Sequence, residues 1–346
     1  MIDFIIVGGG IAGISFAETL FKADKSFVVI SDASQNSSLV AAGIYNPVIL
    51  KRFSITQDAK EHLEFIKPFY KSIEERLSVA LDFPVPIHRR FTGVEEQNGW
   101  FEAMDKPRLE PFLSPDIVHA DFEGLSTPFG LGRVLCTGYV DTQVLVQYYH
   151  AFLTSQNKLH TETFDYNMLL IEDSKITYGG IVAKHIVFAE GFGLNANPYF
   201  NYLPLDGTKG ELLLIKAPDL KLDVAINSGV FILPVGNGFF KVGATYEWDD
   251  KTAVPTAAGK AELVEKLEAI ITCNYEVIDH FAGVRPTVKD RKPLVGTHHI
   301  HKNVHLLNGL GTRGVMLGPP LAAELYHSII EGVPVKKEIN LNRFKV

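Results

Sequence analysis

The sequence is poor in cysteine and has no excess of basic residues. Only Cys136 and Cys273 occur among its 346 residues, and they form no CxxC pair, which excludes a zinc ribbon and a CxxC redox dithiol. The 33 lysines and arginines are outnumbered by 40 aspartates and glutamates, giving a net charge of −7. Because nucleic acids and anionic membranes are bound mainly through lysine and arginine, this balance argues against a general binder of either.

Long apolar segments are also missing. No uninterrupted apolar run approaches the roughly 20 residues of a membrane-spanning helix. The N-terminus is apolar, but it has no basic region and carries Asp3 at once, which favours a folded segment over a signal peptide. With the low cysteine content, these features predict a cytoplasmic protein. The length predicts one to three domains.

The first thirty residues have the pattern of a β-strand, an α-helix and a second β-strand. Ile2–Val7 and Phe27–Ile30 are short apolar runs rich in β-branched residues, which are typical of buried parallel strands. Between them, Ile11–Lys22 spaces its apolar residues as a helix does. These segments therefore predict a βαβ unit.

Three glycines at the first strand-to-helix junction form a GxGxxG pattern. Gly8 permits a tight turn, Gly10 lets a diphosphate approach the backbone, and Gly13 lets the helix pack close to the strand. The helix N-terminus adds unpaired N–H groups and a partial positive charge. The pattern predicts that this junction binds a dinucleotide.

The dinucleotide fingerprint places an acidic residue after the second strand, where it binds ribose hydroxyls. Here that position holds Ser31, and Asp32 follows it. Either Asp32 binds the ribose although it lies one residue beyond the expected position, or Ser31 binds it through a neutral hydrogen bond. The sequence leaves both assignments open.

A second glycine-rich junction lies near the C-terminus. Leu306 and Leu307 predict a strand, and residues 308–314 (NGLGTRG) follow it. After residues 315–318 and two prolines, the spacing of the apolar residues from Leu321 predicts a helix that ends near Gly332. A helix N-terminus stabilises negative charge, such as that on a reduced flavin. Two such junctions favour FAD over NAD.

Six motifs in order resemble those of the D-amino acid oxidase and glycine oxidase superfamily of FAD-dependent oxidoreductases. They are residues 7–13 (VGGGIAG), 41–47 (AAGIYNP), 186–193 (IVFAEGFG), 231–236 (FILPVG) with 241–246 (KVGATY), 283–286 (GVRP) with 290–296 (DRKPLVG), and 309–314 (GLGTRG). Within the superfamily, the 41–47 and 309–314 loops are similar to those of the C-terminal oxidoreductase domain of the bifunctional tRNA wobble-uridine enzyme. That enzyme removes a carboxymethyl group from a modified 2-thiouridine. No methyltransferase part of it is represented here.

The resemblance implies a fold that combines α/β and α+β parts, with a Rossmann-like FAD-binding domain and a discontinuous antiparallel-sheet substrate domain. By that resemblance, residues 1–80, 138–200 and 284–346 form the FAD-binding domain. Residues 81–137 and 201–283 form the substrate domain. The proline-rich stretches 83–87 and 107–128 look irregular, and helices are predicted near 58–77, 144–155 and 254–271.

The resemblance also implies which residues hold FAD. They are Gly8, Gly10, Ile11, Ala12, Gly13, Ser31, Asp32, Ala41, Ala42, Gly43, Ile44, Ala189, Gly191, Gly309, Gly311, Thr312, Arg313 and Gly314. Some sarcosine oxidases attach their flavin to a cysteine in the C-terminal region. Since Cys273 lies in no matching motif, we expect FAD to be bound non-covalently.

Three residues are predicted to form the catalytic site. Arg285, in GVRP, matches the family arginine that binds a substrate carboxylate, and arginine suits this role because its fork is bidentate. Arg313 stands at a predicted helix N-terminus, where a cation is unfavourable unless an anion lies nearby. Tyr246 can hydrogen-bond a carboxylate or cover the flavin. The alternatives are a structural ion pair for each arginine and simple packing for Tyr246.

Other charged and polar clusters have simpler interpretations. Lys51 and Arg52 can bind an acidic substrate or a tRNA phosphate, although two solvent-exposed charged side chains without a ligand are the simpler interpretation. His298, His299, His301 and His305 lack interleaved acidic or cysteine ligands, so we expect exposed histidines in a turn and no metal site.

The resulting hypothesis is an FAD-dependent oxidase or dehydrogenase that acts on a small amine, either an amino acid or an N-substituted glycine. The alternatives are a tRNA-modifying oxidoreductase, which the acidic net charge disfavours, and a protein that binds FAD without catalysis. A pyridine-nucleotide disulfide reductase is disfavoured because CxxC and a second GxGxxG are missing. The sequence does not define the electron acceptor or the oligomeric state.

Overall fold

The computed structural model describes residues 1–32, 34–119 and 122–344. Its helices are α1 (Ile11–Lys22), α2 (Ser37–Val40), α3 (Ala59–Leu77), α4 (Val94–Met104), α5 (Thr142–Ser155), α6 (Ala257–Glu268) and α7 (Gly314–Glu331). Its strands are β1 (Ile2–Val7), β2 (Phe27–Ile30), β3 (Ile44–Tyr45), β4 (Val48–Ile49), β5 (Ser54–Ile55), β6 (Asp82–Phe83), β7 (Ile87–Arg90), β8 (Leu113–Val118), β9 (Leu131–Val134), β10 (Gly138–Val140), β11 (Leu159–His160), β12 (Leu169–Glu172), β13 (Lys175–Tyr178), β14 (Ile181–Phe188), β15 (Thr208–Lys216), β16 (Ala225–Asn227), β17 (Phe231–Pro234), β18 (Phe239–Gly243), β19 (Glu276–Arg285), β20 (Leu294–Thr297) and β21 (Val304–Asn308).

The predicted βαβ unit is confirmed and lies at the centre of the first large sheet. β1 pairs in parallel with β2 on one side and with β14 on the other. β11 extends the sheet beyond β2, and β21 lies parallel to β14. Phe4 and Ile6 face the core that contains α1, whereas Ile5 and Val7 face a second core. Burial on both faces explains why the strand is continuously apolar.

The second large sheet has the strand order β19-β15-β18-β17-β16-β7-β9-β8 and is mainly antiparallel. Leu213 and Ile215 pack with Leu263 and Leu267 of α6 in one core. Because side chains alternate along a strand, Leu212 and the other residues of that parity face the opposite side. That opposite face is where the site described below lies.

The two large sheets draw their strands from separate stretches of the chain. Strands of the first sheet lie within 2–30, 159–188 and 294–308, and those of the second within 87–134 and 208–285. The domain ranges drawn from the resemblance remain a prediction. The 107–128 stretch, expected to be irregular, contains β8. In the part of the chain that is described, no helix combines the length and apolarity needed to cross a membrane.

Helix α7 corrects one prediction at the second glycine-rich junction. The helix begins at Gly314 and includes Pro319 and Pro320, which were expected to precede it. Pro319 has no N–H to donate to the Val315 carbonyl four residues earlier. The hydroxyl of Tyr70 on α3 donates to that carbonyl instead, at 2.7 Å. A tertiary hydrogen bond therefore replaces the one that proline removes.

The histidine-rich segment is also partly different from the prediction. His299 is exposed, but His298 and His305 are only 6% and 1% exposed. The two nitrogens of His305 face His185 (3.2 Å) and the Thr297 hydroxyl (2.9 Å). This histidine is buried because its neighbours satisfy both ring nitrogens. No group of residues suited to a metal ion occurs among the described residues.

Buried His88 on β7 should make the protein less stable in mild acid. Burial, with a contribution from Arg133, lowers the pKa of His88 to about 4. Between about pH 6.5 and pH 4, His88 is therefore protonated in the unfolded chain but neutral in the folded protein. We expect His88 alone to reduce the free energy of unfolding by about 2 kcal/mol between pH 7 and pH 5. Urea denaturation of the FAD-loaded protein at both pH values would measure the loss.

The control is His88→Gln, which cannot titrate. Its stability should fall less over the same interval, whatever its stability at pH 7. Equal losses in the two proteins would show that His88 is not the group responsible.

Candidate active site

The N-terminal glycine turn has the geometry that the GxGxxG pattern predicts. Gly8 has a φ of +106°, a conformation that favours glycine, and a Cβ there would overlap the Ala189 carbonyl. A Cβ on Gly13 would overlap the carbonyl oxygen of Gly8. Strand β1 and helix α1 therefore approach as closely as their backbones permit.

Two side chains that sequence reasoning missed lie against this turn. The Ser38 hydroxyl accepts a hydrogen bond from the Ile11 N–H at 3.1 Å and lies 2.9 Å from where a Gly10 Cβ would be. His150 on α5 places Nε2 2.7 Å from the Gly9 carbonyl oxygen. Ser38 could have been suspected from its position just before the 41–47 motif. Nothing in the sequence around His150 pointed to the turn.

At the end of β2, Ser31 and Asp32 point to different neighbours. The Ser31 hydroxyl lies 3.0 Å from where a Gly9 Cβ would be. Asp32 is exposed and accepts hydrogen bonds from the Ser34 N–H (2.9 Å) and the Thr163 hydroxyl (3.0 Å). Burial raises the pKa of Asp32, but these hydrogen bonds outweigh it and the net pKa is lowered. Ser31 thus lies beside the glycine turn, and the Asp32 carboxylate is held to its own loop and Thr163.

Glu190, in the AEG segment after β14, is a third polar group in this region. It accepts hydrogen bonds from the Tyr166 hydroxyl and from the Asn197 side chain, the latter at 2.7 Å. Burial, with a contribution from Asp32, raises the pKa of Glu190. Its neighbour Ala189, predicted to contact FAD, lies beside Gly8, and Gly191, also predicted to contact FAD, accepts a hydrogen bond from the Asn308 side chain at 2.9 Å.

The 41–44 loop is held against the start of α5. Gly43 has a φ of +70°, and a Cβ there would overlap the Val140 carbonyl. The Thr142 hydroxyl donates to the Ala41 carbonyl at 3.0 Å. Ile44 pairs with Tyr139 of β10. The predicted cofactor loop therefore has a fixed path along β10.

The two glycine-rich junctions, about 300 residues apart in sequence, meet in the structure. A Cβ on Gly314 would lie 3.4 Å from the Ile11 side chain, and one on Gly318 would lie 2.8 Å from the Ser15 hydroxyl. Gly309 and Gly311 have positive φ angles of +72° and +57°. The starts of α1 and α7 are therefore adjacent, as a shared ligand requires.

The second junction is tied to the strand that carries Arg285. The Gly311 N–H donates to the Pro286 carbonyl at 3.2 Å. Thr312 is exposed within the 3₁₀ turn Gly311–Arg313, and Arg313 is the residue that precedes α7. This hydrogen bond brings the two predicted arginines to one region.

Arg285 lies on the second sheet and fills a space that a glycine leaves. Its guanidinium donates to the carbonyls of Lys209 (3.3 Å) and Thr245 (3.2 Å). A Cβ on Gly210, in the adjacent strand β15, would overlap this guanidinium. The ring centre of Tyr246 lies 4.6 Å from Arg285 Cζ, within cation–π distance. Tyr246 is 59% exposed.

Neither predicted arginine has an acidic partner within 4 Å among the described residues. Burial lowers the pKa of Arg285 and of Arg313, and for each the opposing influence comes from Tyr246. Both arginines are therefore within electrostatic range of Tyr246, and Arg285 is in cation–π contact with it. Two sheltered guanidinium groups without a carboxylate make this region suited to an anionic ligand.

Lys241 is a charged residue of this face that sequence reasoning missed. It lies on β18 and is half-buried, and it pairs with Leu214 and Leu233. Burial lowers the pKa of Lys241, and the charge of Asp141 opposes this lowering only in part. Its place in the KVGATY motif was visible in the sequence, but its burial was not.

The remaining predicted residues lie elsewhere. Lys51 and Arg52 are exposed in the turn between β4 and β5. The Cys273 sulfur lies 2.9 Å from where a Gly124 Cβ would be, in a turn outside the glycine-rich junctions. Cys136 is exposed.

The residues of the N-terminal junction fit the diphosphate of FAD. Gly10 adds no side chain of its own at the α1 N-terminus, and the Ser38 hydroxyl that lies against it accepts from the Ile11 N–H and offers a further polar group. The first N–H groups of a helix attract anions. The adjoining α7 N-terminus and Arg313 offer positive potential to a second part of the same ligand.

Comparison with known proteins agrees with this arrangement. The chain is 23% identical over 373 residues to the glycine oxidase of Bacillus subtilis (strain 168), covering 99% of this chain and 96% of that protein. It is 21% identical over 309 residues to the tRNA 5-methylaminomethyl-2-thiouridine biosynthesis bifunctional protein of Legionella pneumophila (strain Lens), covering 84% of this chain and 45% of that protein. The crystal structure of glycine oxidase from Geobacillus kaustophilus superposes with a TM-score of 0.80 at 18% identity, covering 100% of this chain and 99% of that one.

The family model described as FAD dependent oxidoreductase (DAO) matches residues 3–327. This match spans both glycine-rich junctions and both large sheets, and it confirms the predicted fold class, the cofactor and the enzymatic nature of the protein. The chain belongs to the DAO family of FAD-dependent oxidoreductases.

Proposed function

We propose that the protein oxidises the C–N bond of an amino acid or an N-substituted glycine, with Arg285 binding the substrate carboxylate. The single observation that carries this proposal is the pair of sheltered arginines, Arg285 and Arg313, that share Tyr246 and lack an acidic partner within the described residues. FAD held there would supply the acceptor for the hydride from the carbon next to the substrate nitrogen, so that the substrate becomes an iminium ion, which is the protonated imine.

The protein's own residues contribute position and charge. Arg285 is fixed by two backbone carbonyls and by the Tyr246 ring, so its free N–H groups are oriented before a ligand arrives. A bidentate grip on the carboxylate fixes the adjacent carbon in place. We assign to the exposed Tyr246 the role of covering the ligand from the solvent side. Arg313 keeps the local potential positive. The predicted FAD-contacting residues remain part of this proposal.

The test is anaerobic bleaching of the flavin absorbance by a panel of candidate substrates. The panel is glycine, sarcosine, proline, D-amino acids and carboxymethylaminomethyl nucleosides. We expect bleaching by glycine or an N-alkylglycine, and dithionite serves as the control for full reduction. Bleaching by D-amino acids with none by N-alkylglycines would overturn the substrate preference. If dithionite bleaches the flavin and no amine does, the proposed function is wrong.

A tRNA-modifying activity is the second candidate, and one observation favours it. Trp248, 38% exposed, lies two residues beyond Tyr246 and has the Arg291 guanidinium 4.7 Å from its ring centre. Exposed aromatic and arginine groups stack on nucleobases. The net charge of −7 disfavours it. Loss of the gene should then change the mass of a wobble nucleoside in total tRNA, and an unchanged nucleoside profile would exclude this candidate. A cytoplasmic location fits either activity and remains a prediction.

A further inference from the structure

Lys241 faces the same side of the second sheet as Arg285. Its strand neighbours Phe240 and Val242 belong to the core beneath α6, so alternation places Lys241 on the opposite face. Its cross-strand partner Leu233 belongs to the other core, which includes Tyr139 and Val140. The influence of Asp141 on its pKa agrees with this direction.

Arg285 reaches this face through Gly210. The guanidinium occupies the space where a Gly210 Cβ would be. Gly210 and Leu214 have the same parity on β15, and Leu214 pairs with Lys241. The four-residue step from Gly210 to Leu214 is about 13 Å along a strand. Two long cationic side chains therefore flank one short stretch of sheet.

The surface between the two cations is apolar. Leu212 lies between Gly210 and Leu214 on this face and pairs with Gly243 of β18. The Phe231 ring fills the space beside Gly243, where a Cβ would lie 2.7 Å from it. Leu212, Gly243 and Phe231 form this floor and carry no hydrogen-bonding side chain, so a ligand lying on these residues would be held mainly through its ends.

Lys241 has no acidic group within 4 Å among the described residues. A sheltered ammonium without a close counter-charge is unfavourable, because burial removes its hydration. Asp141 offsets this only in part, since the net pKa of Lys241 stays lowered. An anion on the ligand would supply a closer counter-charge. The same reasoning applies to Arg285 at the other end of the floor.

We infer that this site accepts amino acids or N-substituted glycines that carry a second anionic group, with one carboxylate on Arg285 and the distal anion on Lys241. The inference rests on the proposed function, since it names the substrate class of that same site. Lys241 acts as a specificity residue, because it selects by charge at the end remote from Arg285.

The test uses the FAD-loaded protein and matched pairs of N-substituted glycines. N-(2-carboxyethyl)glycine and N-(3-carboxypropyl)glycine carry a distal carboxylate, and N-propylglycine and N-butylglycine are their uncharged counterparts. We expect the charged members to reduce the flavin with at least tenfold lower apparent Kd. In Lys241→Met, this preference should disappear. Lys216→Met, on an exposed lysine of β15, is the control and should keep the preference.

A second readout does not depend on turnover. Thiodiacetate carries two carboxylates but has no nitrogen, and its binding can be followed by calorimetry. It should bind the wild-type protein and lose at least tenfold in affinity in Lys241→Met. If no amine reduces the flavin, the proposed function fails and this binding experiment still decides the role of Lys241.

Two results would overturn the inference. The first is an equal preference for the distal carboxylate in Lys241→Met and in the wild type. The second is unchanged ligand binding in Lys241→Met with an altered rate of flavin reoxidation by oxygen, which would assign Lys241 to the electron acceptor.

Discussion

Replacing Arg285 with alanine should reduce kcat/KM for a carboxylate substrate by roughly 150- to 5,000-fold. This range corresponds to about 3 to 5 kcal/mol, the effect of removing one partner from a buried charged pair, with about 1.4 kcal/mol for each factor of ten. Arg285 is sheltered, and the Lys209 and Thr245 carbonyls orient its guanidinium. Wild-type Arg285 therefore needs little rearrangement to bind a carboxylate, and the variant loses nearly the full binding energy of the pair. Steady-state and single-turnover kinetics with the best substrate of the panel would measure it.

Two further variants separate charge from geometry. Arg285→Lys keeps the charge and loses the bidentate fork, so it should recover only part of the activity. Arg291→Ala removes an exposed arginine stacked on Trp248, and it should leave the oxidation of a free amino acid unchanged. An Arg285→Ala protein with the KM of the wild type would remove Arg285 from the site.

Replacing Gly13 with alanine should weaken FAD binding by roughly 100-fold. The new Cβ would overlap the Gly8 carbonyl oxygen, and only a backbone shift can relieve this. Overpacking of this kind typically costs about 1 to 3 kcal/mol, and here the shift displaces the α1 N-terminus from the strand that precedes it. Fluorescence titration of the apoprotein with FAD would give the change in Kd.

Gly229→Ala is the matched control for Gly13→Ala. A Cβ on Gly229 meets only the Lys266 side chain, at 3.8 Å or more, so its FAD affinity should equal that of the wild type. Circular dichroism of both apoproteins distinguishes a local defect from global unfolding. Wild-type affinity in a folded Gly13→Ala protein would contradict the assignment of this turn to the diphosphate.

The features that depend only on residues close together in the sequence could be predicted. The βαβ unit follows from two apolar runs around a helical pattern, and the structure has the same bounds, Ile2–Val7, Ile11–Lys22 and Phe27–Ile30. Arg285 and Arg313 were found through their motifs. The Gly311–Pro286 backbone hydrogen bond between their segments and the contacts of Arg285 with Thr245 and Tyr246 are tertiary, and no local pattern encodes them.

Features that depend on tertiary partners were not predictable. The prolines of α7 are normal helix breakers, and only the Tyr70 hydroxyl, 245 residues away, shows why the helix tolerates Pro319. Lys241 looks like an ordinary strand lysine until the sheet shows which face it occupies. His305 is a surface residue by type, and it is buried because His185 and Thr297 accommodate its ring.

The order of strands in the first sheet has a consequence for synthesis on the ribosome. β1 can pair with β2 once residue 30 has emerged, but its partner on the other side, β14, ends at residue 188, and β21 beside β14 ends at residue 308. Because an apolar strand with an open edge is prone to aggregation, the nascent N-terminus needs protection while most of the polypeptide is translated. Chaperone demand should therefore be set by the time needed to translate through residue 308, and a chain truncated before β21 should be recovered mainly as insoluble material.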